Sequence, residues 1–115
     1  MVAGFTFSTD GDVSGLHSGS DPICYRDLWV VKLNPVGIIE WEKSLGGIAT
    51  EDAFSIIQTS DGGYAIVGIS GSLTGDVSGA HGDTLIKHSM SRDSLYTNNY
   101  DLWFVKLDSF GSIEW

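Results

Sequence analysis

Residues 27–33, DLWVVKL, return 74 residues later as DLWFVKL at residues 101–107. The phrase is rich in β-branched and aromatic residues, and both of its alternating side-chain sets are largely apolar. That pattern belongs to a strand covered on two faces. The match runs on beyond the phrase. Asn34-Pro35-Val36-Gly37 lies over Asp108-Ser109-Phe110-Gly111, and Ile39-Glu40-Trp41 lies over Ile113-Glu114-Trp115. Upstream, GDVSG at 11–15 recurs at 75–79 with an offset of 64, which also sets Gly4 over Gly68 and His17 over His81. The two offsets differ by an insertion in the second copy, between His81 and Asp101. One unit is written nearly twice, and recurrence of this kind marks a repeat architecture.

The segments between the repeated phrases also read as strands. Ile38 to Lys43 alternates apolar and charged side chains, which suits an outer strand. Ala53 to Gln58 and Tyr64 to Gly68 are two more, joined by a hairpin turn at Asp61-Gly62-Gly63. No stretch has helical periodicity. Four short antiparallel strands per repeated unit is the pattern of a β-propeller blade. Lettered from the inside out, strand A is 53–59, B is 64–70, C is 101–107 and D begins at 111. The first unit supplies B at 2–7, C at 27–33 and D at 38–45, without an A.

The expectation is therefore an all-β chain, a β-propeller fragment of about two four-stranded antiparallel blades. Residues 1–45 form a partial blade with a B–C loop at 8–26. Residues 46–115 form a second blade with a long B–C loop at 71–100. A ring needs about 4–8 blades, so the remaining blades of a larger propeller are expected partners. Closing the ring with copies of this chain fits poorly, because two full blades' worth of strands is not present.

Composition narrows the function classes. Fifteen acids against six bases give a formal charge of −9 over 115 residues and a pI near 4.3. Such a surface repels phosphate backbones, so nucleic acid is not an expected partner. Cations and partners with basic patches suit it better. No apolar run is long enough for a membrane span, and the N-terminus lacks the pattern of a signal peptide. The single cysteine, Cys24, allows no intrachain disulfide and no cysteine-based zinc site.

The combined motif DLWVVKL-N-x-x-G-x-IEW-x-KSLGG, then DAFSIIQTSDGGYAIVG, then S-x-x-GDVSG-x-HG resembles a propeller repeat of exported Bacteroidetes proteins, many of which end in a type IX secretion sorting domain. The resemblance covers the chain apart from inserts at 18–26 and 83–100. It implies a secreted or cell-surface propeller, usually without an assigned activity, and it carries over no catalytic residue. Neither an export signal nor a sorting domain occurs in this sequence, so the location rests on the resemblance alone.

Candidate chemistry is sparse. All four tryptophans pair by the repeat, Trp29 with Trp103 and Trp41 with Trp115, so packing between units explains them. The aromatics that do not repeat are Tyr25, Tyr96 and Tyr100, in segments leading from B to C. In a propeller, the B–C and D–A connections share one face, which would carry these tyrosines, both GDVSG loops and the Glu51-Asp52 pair. A protein or glycan ligand at that loop face is the functional expectation; packing of the loops on themselves is the plain alternative. His17 and His81 read as structural rings hydrogen-bonded to loop backbone.

No nucleophile elbow, phosphate loop, zinc helix or paired-carboxylate motif occurs. The expected function is thus a non-catalytic binding or scaffold module. The rival readings are a lectin-like glycan binder and part of a propeller-fold lyase or glycoside hydrolase. Residues 10–21 offer one metal reading, a calcium loop with Asp10, Asp12, Ser14, the Leu16 carbonyl, Ser18 and Asp21 as ligands. The second copy keeps only Asp76 and Ser78 of that set, which favours an ordinary Asp/Ser/Gly turn.

Overall fold

The computed structural model describes residues 1–17, 25–78 and 100–115. Those residues form six strands and no helix. They are β1 (Val2–Thr6), β2 (Asp27–Leu33), β3 (Ile39–Leu45), β4 (Glu51–Gln58), β5 (Tyr64–Ser70) and β6 (Asp101–Leu107). They make two antiparallel sheets, ordered β1-β2-β3 and β4-β5-β6.

Each sheet holds three strands, which corrects the expected four. Among the described residues, β2 is the only strand paired with β1. After β6 the fourth position holds only a bridge between Leu107 and Ile113. Two further backbone bonds extend it: Glu114 N–H donates to the Lys106 carbonyl and Lys106 N–H to the Trp115 carbonyl, both at 2.8 Å.

The repeat is visible in the pairing. Gly4 lies opposite Trp29 in the first sheet, and Gly68 lies opposite Trp103 in the second. The turns repeat as well. The Asn34 side-chain oxygen accepts the Val36 and Ile38 N–H groups at 3.0 and 2.9 Å. Asp108 does the same for Phe110 and Ser112 at 2.8 and 2.9 Å. Both turns end on a glycine in the left-handed region, Gly37 at φ 85° and Gly111 at φ 84°, where a Cβ is disfavoured.

Strand β4 starts at Glu51, two residues before the apolar run that marked it in the sequence. Its register shifts between Ala53 and Ser55, and Phe54 at this bulge is exposed.

The core lies between the sheets. Leu28, Val30 and Leu45 from the first meet Tyr64, Ile66, Val105 and Leu107 from the second, all buried, with Trp41, Ala53, Ile56 and Trp103 packed against them. A fully buried aliphatic side chain of this kind contributes about 1.5–3 kcal/mol. Trp41 reaches across to the repeated turn of the other unit, its indole N–H donating to the Ser109 carbonyl at 3.3 Å. Its ring also meets Tyr64 edge-on, centroids 5.9 Å apart.

Candidate functional site at the loop-bearing end

The starts of β2, β4 and β6 and the ends of β1, β3 and β5 gather at one end of the molecule. The tight turns at 34–37, 59–63 and 108–111 lie at the other. At the loop end, His17 and Asp27 form the centre of a polar junction. Asp27 is fully buried. Its Oδ2 accepts the His17 backbone N–H at 2.8 Å and lies 2.7 Å from His17 Nδ1. The ring is thus bonded to a carboxylate, where the sequence suggested loop backbone. His17 Nε2 faces Asp76 Oδ2 at 3.6 Å, an ion-pair distance and too long for a hydrogen bond.

Asp76 belongs to the second GDVSG phrase and grips the connection that leads from β3 to β4. Its N–H donates to the Gly46 carbonyl at 2.8 Å, and its Oδ2 accepts the Gly46 N–H at 3.2 Å. Gly47 lies so close to the Thr74 carbonyl that a Cβ there would collide with it. Glu51, also fully buried, accepts the Ser70 hydroxyl at 2.8 Å and the Gly47 N–H at 3.1 Å. The Gly46-Gly47 segment and the second GDVSG phrase therefore form one latch, which fixes the connection between the two sheets. The sequence showed that GDVSG repeats; it did not show what the phrase holds.

Arg26 makes the second feature. It forks onto Asp52 through Nε and Nη2, each at 2.5 Å. That hydrogen bonding, ahead of the opposing effect of burial, raises the guanidinium's pKa further. The same guanidinium lies 4.7 Å from the Phe5 ring centroid and 5.8 Å from that of Phe7. The two rings meet edge to face at 5.8 Å, and each is about half exposed.

An open cleft of about 440 Å³ runs beside the His17 junction, lined by Ser14, His17, Glu42, Ser44 and Asp76 among others. Glu42 accepts the Ser14 hydroxyl at 2.5 Å and the Trp29 indole N–H at 2.9 Å. The Ser44 hydroxyl is buried without a protein hydrogen-bond partner. Its lining is mixed: the acids Glu42 and Asp76 share it with Lys43 and with the apolar Leu45 and Ile113. The His17 ring faces carboxylates through both nitrogens, so it is not arranged as a base for a hydroxyl nucleophile.

The sequence-derived candidates scatter. Tyr100 is 38% exposed and sits against Gly71, while Tyr25 is half-buried. Tyr96 lies outside the described residues. Of the calcium set, Asp10 and Asp12 are exposed and Leu16 is half-buried. Ser14 is turned onto Glu42, and Ser18 and Asp21 lie outside the described residues. Among the described residues no three His, Cys, Asp or Glu side chains gather as a metal site would require, so no step is assigned to calcium. Nor is any helix of the described residues long and apolar enough to cross a membrane. The sequence pattern gives Asp27 no role beyond opening the first strand phrase, as Asp101 opens the second. No family model, no curated protein and no solved structure matches the chain.

Proposed function

We propose that the chain is a non-catalytic binding module whose loop-bearing end presents a protein ligand with a cation–aromatic surface. It would sit within a secreted or cell-surface β-propeller of the kind its repeat resembles. The supporting observation is Arg26, pinned by Asp52 and spread beside two half-exposed phenylalanines. Arginine and aromatic side chains held rigid at a surface are the usual anchors of protein interfaces, because little side-chain entropy remains to be lost on binding. The test is selection of displayed peptides on the chain, followed by affinity measurement against Phe5→Ala and Phe7→Ala. Peptides selected on the parent should lose about tenfold or more in affinity with either variant. Indifference to both would overturn the reading.

A second reading, a glycan surface, rests on the partly exposed ring of Tyr100. Glycan-array signals that vanish with Tyr100→Ala would favour it over the first.

A further inference from the structure

The contact between the two sheets is made from non-equivalent faces of equivalent units, and the chain carries a spare copy of each face. In the first unit, Leu28 and Val30 are fully buried against the second sheet, whereas their repeat equivalents Leu102 and Phe104 are 74% and 51% exposed. Trp41 packs into the interface; its equivalent Trp115 is 65% exposed and stacks on Phe104 with ring centroids 5.4 Å apart. The opposite faces show the reverse at two positions, while Val31 stays buried like its equivalent Val105. Ile66 and Leu107 of the second unit are fully buried, and their equivalents Val2 and Leu33 are 53% and 37% exposed. Each end of the molecule thus displays one half of an interface already formed in its middle.

We propose that the outer face of β4-β5-β6, centred on Leu102, Phe104 and Trp115, docks the outer face of β1-β2-β3 on a second copy of the chain. This is a head-to-tail contact that reproduces the internal one. Such heterologous interfaces leave a free half at each end, so association continues past the dimer. The strand count that disfavours a closed ring does not prevent this, because the internal contact itself is made by three-stranded sheets. The surface is separate from the loop-bearing end and does not depend on ligand binding there. Further blades of a larger propeller would take the same two faces, and in the chain by itself a second copy takes them.

Sedimentation velocity of the full chain over about a hundredfold in concentration tests this, because mass action drives an open-ended assembly upward. The parent should grow beyond the dimer. Leu102→Asp blocks one face and Val2→Asp the other, both at exposed positions, and each variant alone should remain monomeric. Phe104→Asp repeats the first block at a second exposed site, and circular dichroism checks that all variants keep the parent's strand signal. An equimolar mixture of Leu102→Asp and Val2→Asp retains one intact pair of faces and should form a 1:1 dimer and nothing larger. A monomeric parent, association unchanged by the variants, a mixture that stays monomeric, or a dimer lost with Leu102→Asp but kept with Val2→Asp would each overturn the proposal. The last of these would indicate like faces pairing.

Discussion

Asp12 and Asp76 occupy the same position of one repeated phrase, yet of the two it is Asp76 that holds Gly46 in the connection between the sheets. Replacing Asp76 with Ala removes the acceptor for Gly46 N–H and the carboxylate facing His17, at a cost of about 1–2 kcal/mol by urea denaturation. Asp12→Ala, at an exposed position, should stay within about 0.5 kcal/mol of the parent. Equal effects would mean the phrase is only a turn. Acid sensitivity is set at the opposite end, where Lys106 lies between Asp61 at 2.8 Å and Glu114 at 2.7 Å. Hydrogen bonding, first from Lys106, then from Thr59 and the Gly63 N–H, holds the Asp61 carboxyl far below its ordinary value of 3.8. A depressed carboxyl contributes stability above its unfolded value and loses it as pH falls toward the folded one. Stability should therefore drop below about pH 4, and Asp61→Asn should flatten that limb of the pH profile. An unchanged acid limb would contradict this.

At the scale of elements, strands could be placed from sequence wherever apolar alternation and the repeat coincided. DLWVVKL and DLWFVKL became β2 and β6 at residues 27–33 and 101–107, and residues 64–70 became β5. The start of β4 was hidden because Glu51 and Asp52 read as loop acids. Their carboxylates are satisfied by Ser70, Gly47 and Arg26, partners brought together only by tertiary folding. The latch and the His17–Asp27 pair escaped for the same reason: spacing locates a motif and says nothing of its partner in the folded chain. The turns make a clean element-level test. Gly37 and Gly111 share the same left-handed φ, but a Cβ at Gly111 would also press on the Trp41 ring while one at Gly37 meets nothing. Gly37→Ala should cost about 1 kcal/mol from backbone strain, and Gly111→Ala distinctly more. Equal costs would remove Trp41 from its assigned place.

Over the whole molecule, the two repeat-related sheets bury one common core and bring the strand ends that flank both long connections to one end. Trp41 is the side chain that crosses the boundary most visibly, touching Tyr64, Ser109 and Gly111 of the other unit. Trp41→Ala should destabilise the chain by about 3–5 kcal/mol, while Trp115→Ala, at an exposed ring, should cost far less in the monomer. The most direct measurement is a nuclear Overhauser spectrum of the chain kept monomeric by Leu102→Asp, read from the Trp41 indole protons. Cross-peaks to Gly111 and the Tyr64 ring, with Gly111 α-protons shifted upfield by the indole, are the result expected of face-to-face sheets. Strand pairing within each sheet but no cross-peak from Trp41 to the second unit would contradict it.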